Sequence, residues 1–287
     1  MELTNVMSQS ISPSTVPPYF ELLLQQFDLA RSSRCVHLGY WPEPPTEAEL
    51  AAPAAFDCAQ AALNKQVLLA AAISDGQSVI DVGCGLGATL AEINKHYRAM
   101  KLFGVNIDPR QLDICRTLEA AATNRLVWQQ ADACELPYPS ASIDRVICVE
   151  AMFHFASRQQ FFAEAARVLK PGGRLIATDM TVAAELATQQ APVFLFEAAM
   201  VDGYGPWPDF WLQKREYATL AANAGLQLRL QRDISRETLP SYRFTAPAVT
   251  AELTDPGDIA ARAALAMHWL HRNNFLQYWL LVLEKPE

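Results

Sequence analysis

The stretch Ser78-Val79-Ile80-Asp81-Val82-Gly83-Cys84-Gly85-Leu86-Gly87 leaves this chain few folds to choose from. Val79 to Val82 is a short apolar run whose β-branched residues suit a strand covered on both faces. The glycines that follow permit a sharp turn and leave no side chain between the backbone and a ligand. Ala88 to Tyr97 then reads as a helix whose first amides open onto the same space. Strand, glycine turn and helix together form an element suited to cradling a nucleotide.

The rest of the chain repeats the alternation. Lys101–Ile107, Leu126–Gln130, Ile143–Val149 and Arg174–Thr178 read as further strands, the last ending at Asp179. Pro109–Ala122 and Arg158–Leu169 read as the helices between them, the second stopped by Lys170-Pro171-Gly172-Gly173. This βαβα order predicts an α/β fold, a doubly wound Rossmann-like sheet that opens its ligand site at the carboxyl ends of the strands. Ahead of it, residues 18–73 form an amino-terminal helical arm or lid, with Phe20, Leu23, Leu24 and Phe27 on one helical face and a second helical stretch, Thr46–Ile73, interrupted near Pro53. Residues 1–17 read as a disordered tail, and 74–287 as the core. Within it, aromatic excursions at about 180–213 and 238–275 interrupt the alternation as cap insertions. A helix at Lys214–Ala224, a strand at Leu226–Asp233 and an apolar closing strand at Leu276–Glu284 complete the chain.

Composition excludes several functions. Half of the 287 residues are apolar (51%), enough to bury a sizeable core, and the net charge of -8 provides no basic field for a nucleic-acid backbone. The first residues carry neither the basic nor the apolar region of a secretory signal, and no apolar run approaches the roughly 18 residues of a spanning helix. A soluble cytoplasmic protein is expected, with no membrane and no nucleic-acid partner, as a monomer or a homodimer. The six cysteines show neither metal-ligand spacing nor a disulfide framework, and no metal is expected.

Four motifs in sequence, VIDVGCGLG, GVNIDPRQ, QADACELPYPSASIDRV and RVLKPGGRL, resemble those of the class I methyltransferases that use S-adenosylmethionine. The likeness covers roughly 75–180 and the closing strands. It implies a seven-stranded methyltransferase sheet, S-adenosylmethionine as cofactor and S-adenosylhomocysteine as product. The His-Leu-Gly-Tyr-Trp entry at 37–41 and the aromatic insertion resemble the small-molecule, natural-product tailoring branch, which includes the rebeccamycin sugar O-methyltransferase and the sarcosine/dimethylglycine methyltransferases.

The resemblance also implies roles. Gly83, Gly85 and Gly87 would let the methionine part of the cofactor lie close to the turn, with Asp81 fixing the turn or receiving the ammonium through water. Asp132 would accept from the adenine amino group beside the Ala133 amide. Many members carry an acid at the end of the second strand. This chain has Asn106 there, followed by Ile107, and the variant it resembles shares the ribose between Asn106 and Gln111, leaving Asp108 without that role. Glu150 completes the expected cofactor set.

Methyl transfer from a sulfonium is an in-line displacement, so positioning dominates, and an alcohol acceptor also requires a base. His154, just past the fourth strand, is the candidate base, with Asp179 on the neighbouring strand to orient it; the alternative is a packed histidine between Phe153 and Phe155. His37, Tyr40, Trp41, Trp207, Trp211 and Tyr242 are candidate walls for a small-molecule acceptor, apolar or aromatic; the alternative for each is plain packing. O-methylation in secondary metabolism is the leading expectation. N- or C-methylation is the alternative, including an allylic diphosphate acceptor for which Arg243 would supply a cation. A non-catalytic cofactor-binding relative is the competing class.

Overall fold

Runs of β-branched residues separated by helix formers assemble into one seven-stranded sheet with helices on both faces. The computed structural model of the chain describes residues 16, 19–27, 33–183, 193–205, 207–208, 216–246 and 259–287. The expected tail at 1–17 therefore lies, except for Val16, outside the described residues. The arm comprises α1 (Tyr19–Gln26), α2 (Glu47–Leu50) and α3 (Ala55–Ala71). The core continues with β1 (Ser78–Val82), α4 (Ala88–His96), β2 (Lys101–Asn106), α5 (Pro109–Cys115), β3 (Arg125–Gln130) and β4 (Ile143–Val149). A single 3₁₀ turn at Met152–His154 leads to α6 (Arg158–Val168) and β5 (Leu169–Val182). Next come α7 (Val193–Tyr204), α8 (Glu216–Asn223), β6 (Gln227–Asp233), the short α9 (Ser235–Thr238) and α10 (Tyr242–Thr245), α11 (Ile259–Arg272) and β7 (Leu276–Glu284).

The strand order is β3-β2-β1-β4-β5-β7-β6. The first five strands are parallel, while β7 runs antiparallel between β5 and β6. The order in which the chain lays down its strands reverses between β1 and β4, the place where an open α/β sheet forms a ligand crevice. Alternate residues of the strands feed two cores. Val79, Ile147, Ile176 and Val282 pack on one face with Leu63 and Val67 of α3 and Leu90 of α4. Ile80, Val146, Leu175 and Leu281 pack on the other with Phe161 and Phe162 of α6 and Tyr217 of α8. The period of two puts successive side chains of one strand into separate cores.

Two elements depart from the sequence reading. The fifth strand is much longer than Arg174–Thr178, because β7 pairs with it from Arg174–Glu284 through to Val182–Leu276. The helix beginning at Pro109 ends early, at Cys115. Side chains from a neighbouring segment serve the chain beyond it, since Asn94 Oδ1 accepts from the Ala121 amide at 2.9 Å and Asn94 Nδ2 donates to the Glu119 carbonyl. The two excursions meet one another: a Cβ on Gly203 of α7 would stand 2.3 Å from Ala263 Cβ of α11, so the helices touch where that side chain is missing. Among the described residues, no helix is long and apolar enough to cross a membrane.

Gly104, in the middle of β2, lies under Trp128 of β3. A Cβ there would come within 2.1 Å of the indole and 3.3 Å of Cys84 Sγ. Gly104→Ala is expected to destabilise the fold by about 1–3 kcal/mol through overpacking. A urea midpoint that falls with an unchanged slope bears this out; an unmoved midpoint contradicts it.

Candidate active site

The turn after β1 is built from backbone conformations that side chains oppose. Gly83 and Gly85 have φ of 73° and 53°. A Cβ on Gly83 would lie 2.4 Å from Ala151 Cβ, and one on Gly85 would lie 2.7 Å from Val36. Glycine is thus required at both for conformation and for space. The Gly83 and Cys84 amides donate to the Val105 carbonyl at 2.8 and 3.0 Å, tying the turn to the end of β2.

Beside this turn is a cavity of about 450 Å³. Gly83 and Gly85 line one wall; Asn106, Ile107 and Gln111 line the next; Asp132 and Ala133 follow; and Glu150 and His154 close the far end. Tyr19, Phe20 and Leu23 of α1 form the roof, with Val36. Eight of the ten residues expected around a cofactor therefore share one cavity with the candidate base. Asp81 and Gly87 stand behind its surface: Asp81 is buried in β1, and a Cβ on Gly87 would meet the Trp128 ring at 2.8 Å.

Asn106 and Gln111 are joined. Asn106 Nδ2 donates to Gln111 Oε1 at 2.9 Å, and Asn106 Oδ1 accepts from the Asp108 amide. Asp108 caps α5 by accepting from the Arg110 amide at 2.9 Å, with Pro109 in the first turn, and it pairs with the Arg110 guanidinium. Arg110 also reaches Glu21 of α1 at 2.6 Å, an exposed pair between the roof and the second wall. Asp132 Oδ1 accepts from the Cys134 amide at 2.8 Å, fixing the turn after β3.

Two carboxyls at the carboxyl edge of the sheet lack a basic partner. Burial pushes Asp81 up to about 7, and burial also raises Glu150 to about 7, although Glu150 Oε2 accepts from the Leu38 amide and the Tyr278 hydroxyl, both at 2.8 Å. Neither forms an ion pair among the described residues. Glu150 is held with φ 51°, a left-handed conformation that costs a non-glycine residue roughly 1–2 kcal/mol, while its amide donates to Thr178 Oγ1 at 2.8 Å. Strain and burial coincide on a cavity-lining acid.

His154 lines the cavity, and its Nε2 is 3.1 Å from the Tyr19 hydroxyl. Its ring also packs against Phe153, centroids 4.2 Å apart. The expected His154–Asp179 pair does not form. Asp179 is fully buried and accepts instead from Arg158 Nε at 2.7 Å, Arg158 Nη2 at 3.1 Å and the Tyr217 hydroxyl. A buried guanidinium requires a carboxylate, and Arg158 on α6 is nearer to that need than the imidazole is. Arg158 Nη1 also donates to the Pro208 carbonyl at 2.8 Å, which ties a lining residue to the pair.

The expected acceptor walls are placed elsewhere. His37 is buried, with Nδ1 2.7 Å from the Leu38 carbonyl. Tyr40 packs on the core and Trp41 stacks on Phe244. Trp207 packs against Phe153 with its ring tilted by 33°, and Tyr242 is buried against His268 and His271. None of these five lines the cavity, and Trp211 lies outside the described residues. Arg243 is also outside it, exposed and 3.9 Å from Glu47. The roof residues Tyr19, Phe20 and Leu23 do line it; the apolar face of α1 was the signal in the sequence, although its spacing does not identify Tyr19 as a partner of His154. Among the described residues, no group of three His, Cys, Asp or Glu is disposed to hold a metal ion.

S-adenosylmethionine fits these walls chemically, since unpaired buried carboxyls favour a ligand with two cationic centres, and paired amide side chains suit ribose hydroxyls. A family profile described as a methyltransferase domain matches residues 80–177. The chain is 32% identical to methyltransferase GfsG of Streptomyces halstedii, over 78% of this chain and 77% of that one. It is 30% identical to the 27-O-demethylrifamycin SV methyltransferase of Amycolatopsis mediterranei, over 72% of each. Among solved structures, the cyclopropane synthase MmaA2 from Mycobacterium tuberculosis superposes with a TM-score of 0.72 at 16% identity, covering 94% of this chain and 99% of that one. A geranyl diphosphate C-methyltransferase from Streptomyces coelicolor superposes with a TM-score of 0.69 at 19% identity, covering 93% and 98%.

A cation that bound beside Asp81 or Glu150 would favour the ionised form, so each carboxyl that pairs with it would lose its proton as the ligand enters. Affinity for S-adenosylmethionine is therefore expected to rise from pH 5.5 to pH 7, by roughly tenfold for each carboxyl that ionises on binding. Both pH values lie below the range in which an α-amino group titrates. A flat profile by calorimetry contradicts the assignment.

Proposed function

We propose that this chain, which belongs to the class I S-adenosylmethionine-dependent small-molecule methyltransferases, methylates a hydroxyl oxygen of an uncharged, apolar or aromatic metabolite in secondary metabolism. The supporting observation is the meeting of His154 Nε2 with a phenol hydroxyl, at 3.1 Å, in the cavity that the glycine turn also lines. A hydroxyl can thus reach the imidazole nitrogen at hydrogen-bonding distance without a charged group to steer it. The relatives named above support an oxygen acceptor by analogy: one is a 27-O-demethylrifamycin SV methyltransferase.

When bound, S-adenosylmethionine supplies an electrophilic methyl group on a sulfonium. The residues that would hold it are Gly83, Gly85 and Gly87 of the turn, with Asp81 beneath, for the methionine part. Asn106 and Gln111 beside Ile107 would hold the ribose, Asp132 and the Ala133 amide the adenine, and Glu150 the far end. To bind ribose, Asn106 and Gln111 exchange their mutual hydrogen bond for bonds to the hydroxyls, so the wall needs little rearrangement. His154 takes the acceptor proton through Nε2 as the oxygen–methyl bond forms. Tyr19, Phe20 and Leu23 exclude water from the reacting end, and Tyr19 withdraws from His154 when the acceptor arrives.

The cavity also bears on the C-methylating alternative. A diphosphate acceptor calls for basic side chains, yet no lysine or arginine lines the cavity among the described residues, and Arg243 faces solvent beside Glu47. A neutral hydroxyl agrees better with a lining whose ionisable groups are Tyr19, Asp132, Glu150 and His154.

The test is transfer of an isotope-labelled methyl from S-adenosylmethionine into an extract of the source cells, read by mass spectrometry. One metabolite labelled on oxygen is expected, and His154→Ala should slow the transfer by about 10²–10⁴-fold while leaving cofactor affinity nearly unchanged. Label on nitrogen or carbon, or near-normal turnover by His154→Ala, overturns the reading. Asn106→Ala is expected to weaken cofactor binding about tenfold through lost hydrogen bonds; unchanged affinity by titration shows that the ribose is held elsewhere.

A further inference from the structure

Arg158 and Asp179 form an ion pair in which both side chains are shut off from water, with 1% and 0% of their surface exposed. Arg158 uses all three guanidinium nitrogens. Nε and Nη2 hold the carboxylate at 2.7 and 3.1 Å, Nη2 also donates to the Met180 carbonyl at 3.3 Å, and Nη1 donates to the Pro208 carbonyl at 2.8 Å. The carboxylate accepts in addition from the hydroxyl of Tyr217, in the first turn of α8; burial holds that phenol well above its ordinary pKa and so keeps it a donor. Neutralising a buried guanidinium would need the carboxylate alone. Here one acid on β5 fastens two further chain positions, 208 and 217, to the sheet.

What the clamp holds faces the candidate base. Pro208 lines the cavity together with His154, Phe155 and Ala156. The residue before it, Trp207, is buried and packs against Phe153 with centroids 4.6 Å apart, and Phe153 packs against the His154 ring at 4.2 Å. Three rings thus lead from the clamped segment to the imidazole. His154 ends a single 3₁₀ turn, a short element that leaves the direction of the ring to its packing neighbours. Asn106, Gln111 and Asp132 are fixed differently, by bonds within the turns after β2 and β3.

We propose that Arg158 and Asp179 are positioning residues for methyl transfer: the buried pair clamps Trp207 and Pro208, and these set the imidazole of His154 and the wall that the acceptor meets, without a part in cofactor affinity. The proposal rests on the reading of His154 as the base. An in-line displacement tolerates little error in the placement of the attacking oxygen. A planar guanidinium bound on two edges fixes direction as well as distance, which suits it to holding a segment in place. Neither residue touches the reacting atoms; both act through Trp207 and Pro208.

The test uses the full chain. Asp179→Asn would strand a buried cation and so probe folding rather than position. Arg158→Lys keeps the charge but replaces the planar fork with a compact ammonium that cannot engage the carboxylate and the Pro208 carbonyl as the fork does. Tyr217→Phe removes only the bond from α8. Ile93→Ala, a core truncation in α4, is the destabilised control. In chain labelled with ¹³C at histidine Cε1, the five histidines give five signals, and His154→Gln identifies the one that matters. Arg158→Lys is expected to shift that signal by more than its line width, Tyr217→Phe to shift it less, and Ile93→Ala to leave it in place. In the labelled-methyl assay on cell extract, Arg158→Lys should slow transfer about 10- to 100-fold. Its affinity for S-adenosylhomocysteine by calorimetry should stay within about threefold of wild type. An unmoved His154 signal in Arg158→Lys overturns the proposal. So does a loss of S-adenosylhomocysteine affinity that matches the loss of transfer, or an equal shift in Ile93→Ala, since each assigns the pair to the fold alone. If Arg158→Lys does not fold, an unmoved signal in Tyr217→Phe overturns it equally. A wild-type chain that binds S-adenosylhomocysteine but labels nothing overturns the oxygen-methylation reading instead, and the His154 signal still decides on the clamp.

Discussion

The removal of Asp81 and Glu150 from water without a basic side chain to meet them is the constraint on which the site depends. A buried carboxylate is costly unless something pairs with it, and here burial moves both groups up to about 7 rather than leaving them plainly ionised. Elsewhere the same protein pairs a buried charge fully: Asp179 meets Arg158 through two of its guanidinium nitrogens. The unpaired acids are therefore a local feature of the sheet's carboxyl edge. They surround a glycine turn whose shape brings a ligand against backbone, and a cationic ligand relieves what the fold leaves uncompensated.

The same contrast explains how the sheet assigns its chemistry. β1, β4 and β5 are neighbours that deliver Asp81, Glu150 and Asp179 to one region. Asp179 is drawn inward by Arg158 of α6 and by Tyr217 of α8, so it stabilises the packing of two helices and the placement of Pro208. It is not the partner of the imidazole. His154 instead meets Tyr19, a residue of the arm, so this end of the cavity is closed by a segment more than a hundred residues away in sequence. The pair between Glu21 and Arg110 joins that roof to the Asn106–Gln111 wall through an exposed contact, the kind of interaction that opens easily.

Much of this was legible in the sequence, because local patterns determine it. The glycine turn, the four motifs and the β-branched runs predicted the parallel strands, and eight of the expected cofactor residues do share a cavity. Other features were not legible, for identifiable reasons. The length of β5 depends on antiparallel pairing with β7, a partner about a hundred residues away, and no local pattern encodes it. The Asp179 reading failed because strand position shows which acids reach the rim but not which cation, here Arg158, competes for them. The aromatic residues at 40, 41, 207 and 242 look alike in sequence whether they line a pocket or fill a core, and the structure packs all four against other rings or the core. Tyr19 is the converse case, an aromatic outside the apolar face read in that helix, which lies against the candidate base.

On this reading one cavity, bounded by the glycine turn and α1, holds the nucleoside and the sulfur of the cofactor together. A crystal structure of the chain grown with S-adenosylhomocysteine tests it most directly. Adenine is expected at the Asp132–Ala133 wall, ribose hydroxyls on Asn106 and Gln111, and the sulfur between Gly83 and Glu150. Ligand density outside this cavity, or a ribose with no contact to either amide side chain, would contradict it.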